Sequence, residues 1–403
     1  MSKVKLIPGL FSLLRTAKAR KARMAEADAQ FRPDPVSEMA HRMHPEELRL
    51  VVGLVRDETD TVRTYRLLNE DGSALPVFQP GQYLSVKLVM NGSAVSRAYT
   101  ISSTPYEAEG IGGYYEITVR RKPGGLVSGA IWDAWTQGIL VTATGPHGDF
   151  CISPLRDTKD IVAIAGGTGI TPFVSMMKQF EKEEPDISLT LLYGCKNTSD
   201  VLFEKEIGDM ISRAPERFRR VNTYEDTAGA PGLCEGFIDA AFIRQHITDI
   251  ENKTFLICGP AVMYDFLKNE FAKIGTLERK QTRYEVSGMP DDVTRYQGFP
   301  ASARGKTIRL KVIAGGEAHE TAALATEPVL TAVEKAGLLI DSRCRSGECG
   351  ICRSRLVSGD VFILPDNDGR READKDLGYI HPCATYPLSD VTIMIPPGKA
   401  AQT

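Results

Sequence analysis

Four cysteines near the carboxyl end of this 403-residue chain form its most specific chemical pattern. Cys344 is followed after four residues by Cys349, after two more by Cys352, and much later by Cys383. Two irons bridged by two sulfides need four thiolate ligands, and a [2Fe-2S] centre takes them from one loop and one distant cysteine at this spacing. The pattern therefore predicts that these four residues ligate a [2Fe-2S] cluster.

Two other thiol chemistries compete with this interpretation. Zinc sites also take four cysteines, but they usually pair two short Cys-x-x-Cys units, and this segment has one. A redox-active pair of Cys349 and Cys352 would leave the other two cysteines without a role. Gly347 and Gly350 favour the cluster, because glycine lets a loop fold tightly and bring its amides to the sulfurs.

The segment CRSGECGIC at 344–352, followed by HPC at 381–383, resembles the plant-type ferredoxin domain. The resemblance implies a β-grasp fold with the cluster loop near its surface. Four arginines lie in or beside the loop, and they are expected to favour the reduced cluster and to offer a basic face to an acidic electron acceptor. Ordinary surface arginines are the alternative. The four are Arg343, Arg345, Arg353 and Arg355.

A second pattern, Arg97-Ala98-Tyr99-Thr100, resembles the Arg-x-Tyr-Ser/Thr motif of the ferredoxin reductase family. Tyr99 offers a ring to pack on isoalloxazine, Thr100 a hydroxyl for flavin N5, and Arg97 a fork for phosphate. A glycine-rich helix start at 124–128 then resembles the family's pyrophosphate site, which favours FAD over FMN. The flavin residues implied are Arg97, Ala98, Tyr99, Thr100, Val119, Arg120, Gly125, Val127 and Ser128.

A glycine loop at 166–172 follows an apolar strand and opens a helix. It is not the ordinary dinucleotide fingerprint, since Pro172 stands where glycine is needed. It resembles the glycine loop of the same reductases, where bare backbone leaves room for the nicotinamide ribose and pyrophosphate. Two further strands end in short motifs, where a parallel sheet binds ligands. The residues implied are Gly167, Thr168, Gly169, Thr171, Tyr193, Gly194, Cys258, Gly259 and Pro260.

The resemblance also implies the residues that do chemistry. Cys258 is expected beside the nicotinamide, and Glu285 occupies the family's final-strand position, although this chain continues beyond it. The acidic segment 224–226 favours NADH over NADPH, because a 2′-phosphate needs basic neighbours, while Lys196 and the arginines at 219–220 argue the other way. The predicted catalytic residues are Thr100, Thr168, Cys258 and Glu285.

The elements that must position these residues fall into consecutive blocks. Short β-type runs separated by turns predict an antiparallel β-barrel for flavin over 47–155. Alternating strands and helices predict an α/β domain with a parallel sheet for nicotinamide over 156–287. A polar linker is expected at 288–306, and the ferredoxin domain at 307–403. The multidomain order resembles that of phthalate dioxygenase reductase-type proteins.

The remaining 46 residues form a basic amino-terminal extension. Residues 1–25 hold seven basic and no acidic side chains, including Lys3 and Lys5. A solvated helix or mobile arm is expected, and a helix on an anionic membrane or a partner protein is the alternative. With 49 basic and 52 acidic residues overall, the chain lacks nucleic-acid-binding character. No apolar run is long enough to span a membrane, which favours a cytoplasmic protein, with a peripheral position at the inner membrane face as the alternative.

These expectations combine into one functional hypothesis. The chain is expected to be an NADH-dependent oxidoreductase that passes electrons through flavin and a [2Fe-2S] cluster to a partner protein, an oxygenase or another redox enzyme. The alternatives are the reverse enzyme, a ferredoxin-NAD(P)+ oxidoreductase, and a peripheral subunit of a membrane redox complex.

Overall fold

In a computed structural model the chain divides into two compact units, Met1–Met43 and His44–Thr403. The structure describes residues 10–26, 34–43, 45–90, 93–184, 186–275, 281–285, 288–290 and 292–396. Among these residues, no helix is both long enough and apolar enough to cross a membrane.

The first unit contains two helices, α1 (Leu10–Glu26) and α2 (Pro35–Met43). Five of the seven predicted basic side chains lie on α1 and are exposed, whereas Lys3 and Lys5 lie outside the described residues. The exposed five are Arg15, Lys18, Arg20, Lys21 and Arg23.

The second unit begins with six antiparallel strands in the order β4-β3-β6-β1-β2-β5. A bridge between Ile101 and Ile117 joins the two edges and closes the sheet into a barrel, as predicted. Leu50, Leu84 and Tyr115 are completely buried inside it. The elements are β1 (Leu48–Thr59), β2 (Val62–Asn69), β3 (Tyr83–Met90), β4 (Ser93–Thr100), α3 (Pro105–Ala108), β5 (Tyr114–Arg120), α4 (Leu126–Ala134) and β6 (Leu140–His147).

A parallel five-stranded sheet follows in the order β11-β10-β7-β8-β9. Its strands are apolar because helices cover both faces, with α5 and α6 on one side and α7 and α8 on the other. The predicted α/β domain is thus confirmed. Its elements are β7 (Asp160–Gly166), α5 (Thr171–Glu183), β8 (Ser188–Cys195), α6 (Glu204–Arg213), β9 (Phe218–Tyr224), α7 (Ala240–His246), β10 (Thr254–Cys258), α8 (Ala261–Ile274) and β11 (Thr282–Glu285).

The carboxyl-terminal domain contains a mixed sheet in the order β13-β12-β18-β14-β16, in which β12 and β18 run parallel. A short helix, α9, packs its buried side against this sheet, which is the β-grasp arrangement expected. The elements are β12 (Thr307–Ala314), β13 (Glu317–Leu324), α9 (Val329–Lys335), β14 (Ser354–Ser358), β15 (Val361–Ile363), α10 (Glu372–Asp376), β16 (Tyr379–Ile380), β17 (Thr385–Pro387) and β18 (Val391–Met394).

The segment predicted as a polar linker packs on this last domain over its described part. Val293, Phe299 and Ala303 are buried in one cluster with Ile308 and Tyr386. The apolar residues spaced along an otherwise polar stretch explain this, because burying them stabilises the packed position.

A polar contact holds the parallel-sheet domain on the barrel. The Ser175 hydroxyl of α5 donates to the Ser103 carbonyl at 2.5 Å, and both residues are completely buried. Beside it, Lys178 is 2.6 Å from Glu206 and 3.7 Å from Glu107. Burial alone would lower the pKa of Lys178, but these carboxylates raise it above its usual value. A buried lysine paired in this way stays charged and fixes the angle between the domains.

Candidate functional site

Three of the predicted catalytic residues meet at the ends of three strands. The Thr100 hydroxyl at the end of β4 donates to Glu285 Oε1 at 3.0 Å, and the Cys258 thiol at the end of β10 donates to Oε2 at 2.8 Å. Glu285 itself ends β11, which pairs with β10 so that Cys258 and Glu285 are neighbours. The barrel and the parallel sheet thus contribute to one site.

The electrostatics of this group follow from its burial. Burial raises the pKa of Glu285 to about 6, although the hydrogen bonds from Cys258 and Thr100 act in the opposite direction. Burial, followed by the nearby Glu285 carboxylate, raises the pKa of the Cys258 thiol well above its usual value. At neutral pH the site therefore holds a carboxylate that accepts bonds from a neutral thiol and a hydroxyl.

Tyr264, which sequence analysis missed, ties two parts of this site together. Its hydroxyl accepts a hydrogen bond from the Gly259 amide at 3.1 Å and donates to the Glu285 carbonyl. Tyr264 lies on α8, and nothing in the sequence distinguishes it from other partly apolar residues of a helix. Its spacing from Gly259 gives no signal of this contact, which depends on how α8 folds back over the strand ends.

The glycine loop lies against the Cys-Gly-Pro motif so closely that side chains are excluded. A Cβ atom on Gly169 would lie 2.1 Å from the Cys258 carbonyl oxygen, and Gly167 has a φ of +53°. The Thr171 hydroxyl donates to the Thr168 carbonyl at 3.0 Å and closes the turn, while Thr168 is partly exposed. The loop thus leaves backbone and the Thr168 side chain open to a ligand.

Several predicted binding residues lie beneath this surface. Tyr193 is completely buried, and its hydroxyl donates to the Gly167 carbonyl at 3.1 Å while accepting from the Leu202 amide. Val119 is buried in the barrel core. The side chains of these two residues therefore support the site from below. Gly194 is paired with Gly166 at the end of the contact between β7 and β8, and Pro260 directly precedes α8.

Arg120 stands between the barrel and the glycine loop. Its Nη1 is 2.6 Å from the Asp200 carboxylate, which ties the two domains together. Its Nη2 is buried and has no protein partner within the described chain, and a Cβ atom on Gly167 would lie 3.8 Å from it. A buried guanidinium nitrogen that lacks a partner beside a glycine loop fits an anionic or carbonyl oxygen of a bound cofactor.

Arg97 is a largely buried cation on strand β4 of the barrel. Burial, together with nearby Arg345, lowers its pKa to about 10, and Glu334 only partly offsets this. Both oxygens of Glu334 also accept bonds from Arg345, so this carboxylate is shared between the two arginines. Its Nη1 donates to the Ser96 carbonyl at 2.7 Å. This unbalanced charge fits a flavin phosphate, and Ala98 and Tyr99 follow it on β4.

The start of α4 offers a second anion site. Gly125 precedes the helix, and a Cβ atom there would lie 2.5 Å from the Ser128 hydroxyl. That hydroxyl accepts the Lys122 amide at 3.1 Å and folds the turn. Val127 is buried in the barrel core. The first amides of a helix have no partner within it, so this end suits a pyrophosphate oxygen.

The four predicted ligand cysteines come together in the carboxyl-terminal domain. Cys352 and Cys383 have sulfurs 3.4 Å apart, and the sulfur of Cys344 accepts the Ser346 and Cys349 amides at 3.4 Å each. Amides directed at a sulfur fit a thiolate ligand. Four cysteines at this spacing, with amides directed at one of the sulfurs, fit a [2Fe-2S] cluster.

The cluster loop owes its shape to Gly347. Its φ is +84°, and a Cβ atom there would lie 2.0 Å from the Asn367 carbonyl oxygen. Two side chains hold the loop from outside it: His381 Nδ1 is 2.5 Å from the Gly347 carbonyl, and Asn367 donates to the Ser346 carbonyl at 3.1 Å. The HPC segment therefore supplies His381, which holds the loop, as well as the predicted ligand Cys383.

The expectation for the arginines requires a correction. Arg345 forms a buried double hydrogen bond with Glu334, and Arg353 lies 2.9 Å from the buried Asp374 carboxylate. Two of the four positive charges are thus neutralised beside the cluster, and their effect on its reduction is smaller than expected. The partners are distant in sequence, so the pattern of arginines alone did not reveal them.

Comparison with protein families finds a matching domain model for each of the three parts of the chain that contain these residues. Family models match an oxidoreductase FAD-binding domain at residues 54–152, an oxidoreductase NAD-binding domain at 163–269 and a 2Fe-2S iron-sulfur cluster binding domain at 312–388. Every cofactor that the geometry fits therefore has a matching domain in the predicted order.

Relatives and solved structures extend over most of the chain. The glycine betaine monooxygenase reductase subunit of Chromohalobacter salexigens is 28% identical over 348 residues, which cover 84% of this chain and 93% of that protein. The NADH oxidoreductase HCR of Escherichia coli is 26% identical and covers 86% and 97%. The structure of phthalate dioxygenase reductase shares the fold, with a TM-score of 0.62, 21% identity and coverage of 87% and 98%.

The cluster assignment predicts a clear result for Cys352→Ser. This variant is expected to lose most of its iron and acid-labile sulfide while it keeps its flavin, because Cys352 belongs to the carboxyl-terminal domain and the predicted flavin residues belong to the barrel. Cys234→Ser, at an exposed cysteine, is the matched control and keeps all three. Metal and sulfide analysis with flavin absorbance measures this. Unchanged iron in Cys352→Ser, or zinc in the unmodified protein, would contradict the assignment.

Proposed function

Because the chain belongs to the ferredoxin reductase-type flavoproteins with a carboxyl-terminal [2Fe-2S] domain, and is an NAD(P)H-dependent flavin and iron-sulfur oxidoreductase, we propose that it is the NADH-oxidising reductase component of an oxygenase system. The observation that carries this proposal is the meeting of Thr100, Cys258 and Glu285 between the flavin barrel and the nicotinamide domain. The names of the reductase relatives support an oxygenase as the electron acceptor.

When bound, the flavin takes electrons in pairs from the nicotinamide and the iron-sulfur cluster carries them singly. Thr100 would hold the reacting edge of the flavin with its hydroxyl, and Cys258 would limit the approach of the nicotinamide. Glu285 would face the nicotinamide ring as it becomes positively charged, and an ionised carboxylate stabilises such a charge. Thr168 would contact the ribose from the glycine loop.

The cations of the site would hold the phosphates. Arg97 is a largely buried charge that Glu334 offsets only in part, and the start of α4 offers amides without helical partners, so together they suit the two phosphates of FAD. Arg120 would contact the cofactor from the junction with the glycine loop, where its Nη2 lacks a protein partner.

The contacts around β9 support a preference for NADH. Glu225 and Asp226 are exposed just beyond the end of this strand, where they would repel a 2′-phosphate. The basic residues that argued the other way are engaged elsewhere: Arg219 donates to the His246 carbonyl at 3.1 Å, and Arg220 pairs with Glu204 at 2.7 Å. Lys196 and Arg219 are exposed nearby.

The proposed function predicts the spectrum of the protein under anaerobic conditions. Addition of NADH is expected to bleach both the flavin bands and the broad cluster absorbance, and NADPH to act at only roughly tenfold or higher concentration, since repulsion of the 2′-phosphate weakens its binding. A purified oxygenase from the same genome neighbourhood should then be reduced. Equal action of the two coenzymes would contradict the NADH preference, and an unbleached flavin would contradict the function.

The ionisation of Glu285 predicts a pH dependence. Because its pKa is raised to about 6, the carboxyl is protonated below that pH and charged above it. Reduction of the flavin by NADH should therefore slow as pH falls through about 6, and Glu285→Gln should be slow at all pH values by about tenfold relative to the charged form. Stopped-flow absorbance measures the rates. The same pH profile in Glu285→Gln would rule out this role.

We further propose that the amino-terminal unit binds an anionic membrane surface. Five basic side chains are exposed on α1, and α2 exposes Val36, Met39 and Met43, whose spacing of three and four residues places them on one face. Basic charge with an adjacent apolar face is typical of helices that lie in a membrane interface.

Liposome flotation tests this membrane proposal. The full chain should float with vesicles rich in phosphatidylglycerol, less so at high salt, which screens the charges, and not with vesicles of neutral lipid. Deletion of residues 1–25 should abolish flotation and leave NADH oxidation unchanged. Full-length protein that stays in the aqueous fraction with anionic vesicles would contradict the proposal.

A further inference from the structure

Buried hydroxyls join the flavin barrel to the cluster loop. Ser96 on β4 is 5% exposed and donates to the Ser342 carbonyl at 2.9 Å, and the hydroxyls of these two residues are 2.7 Å apart. Ser85 on β3 is completely buried and lies 3.4 Å from the Arg343 carbonyl. The segment just before the first ligand, Cys344, is therefore attached to two neighbouring strands of the barrel.

An ion pair within the carboxyl-terminal domain holds the residue on the other side of Cys344. Arg345 makes two hydrogen bonds to Glu334 of α9, and the two side chains are 11% and 6% exposed. Arg97, which follows Ser96 on β4, is close enough that Arg345 lowers its pKa. The two residues that flank Cys344 are thus held by different elements, Arg343 by Ser85 of the barrel and Arg345 by α9 of its own domain. We call this set, Ser85, Ser96, Ser342, Arg345 and Glu334, the cluster junction.

The cluster junction lies next to Thr100, one of the three residues that meet at the strand ends. In the pairing of β3 with β4, Tyr83 is directly opposite Thr100, and Ser85 is opposite Ala98. Ser85, two residues along β3 from Tyr83, donates to the Arg343 carbonyl, so the residue next to Cys344 lies near the strand position opposite Thr100. The two ends of the electron path thus meet across two adjacent strands.

We propose that Ser96 on the barrel and Glu334 on α9 are positioning residues that hold the cluster loop from its two sides for electron transfer between the two redox sites. This inference rests on the proposed function. For each NADH oxidised to NAD+, two electrons would cross the cluster junction one after the other, two molecules of a one-electron acceptor would be reduced, and one proton would be released to solvent. Displacement of Cys344 would slow this crossing without affecting the earlier step.

Directional bonds suit this purpose better than apolar contact. A hydrogen bond needs a donor–acceptor distance of about 2.7–3.2 Å and weakens steeply when it is misaligned, whereas apolar surfaces tolerate sliding. The rate of a reaction between two positioned groups is sensitive to small displacements. The buried polar contacts therefore define one position of the loop on the barrel.

The test compares Ser96→Ala and Glu334→Gln with the unmodified holoenzyme. After anaerobic mixing with NADH, the flavin should be reduced at the normal rate, while reduction of the cluster, followed by freeze-quench electron paramagnetic resonance, should slow by on the order of tenfold. Independently of turnover, amide hydrogen exchange in 342–347 should become faster in both variants. Ser342→Ala removes the contact between the two hydroxyls but leaves the Ser342 carbonyl in place, so it should produce the same changes to a smaller degree.

Ser175→Ala is the matched control, because it also removes a buried serine bond to a carbonyl across a domain contact, that of the nicotinamide domain. It should leave exchange in 342–347 and the flavin-to-cluster step unchanged. Normal cluster reduction and normal exchange in Ser96→Ala and Ser342→Ala would overturn the inference. A cluster that stays oxidised in the unmodified protein, although its flavin is reduced, would instead overturn the proposed function.

Discussion

The contact of Ser342 and Arg343 with the barrel is the constraint on which the rest of the molecule depends. Electrons pass only between groups held close together, and the residues that hold them here, Ser96 and Ser342, are 246 positions apart in the chain. The bonds are buried and polar, so they are satisfied only when the two domains meet in one register. The intervening nicotinamide domain must fold without disturbing that meeting.

The barrel makes a second contact of the same kind on the nicotinamide side. Ser175 bonds to the Ser103 carbonyl, Lys178 is buried between carboxylates, and Arg120 pairs with Asp200. These contacts place β10 and β11 so that Cys258 and Glu285 reach Thr100. The barrel thus contacts both other domains. Buried hydrogen bonds and ion pairs attach the nicotinamide domain to it, and buried hydrogen bonds attach the carboxyl-terminal domain.

Local patterns predicted the parts of the molecule whose chemistry is local. The cysteine spacing, the glycine loop and the strand ends at Cys258 and Glu285 were visible in the sequence because each motif is short. The arginines beside the cluster were misjudged, since Glu334 and Asp374 neutralise two of them from other elements. Ser96, Glu334 and Tyr264 gave no signal, because their roles depend on residues brought together by folding.

The central claim is that this chain carries electrons from its nicotinamide site to its cysteine cluster by way of the flavin barrel alone. The direct measurement uses protein from which flavin has been removed while the cluster is retained. Electron paramagnetic resonance should then show no reduced cluster after anaerobic NADH, a full signal after dithionite, and recovery of the NADH response when FAD is restored. Reduction of the cluster by NADH in the flavin-free protein would contradict the account.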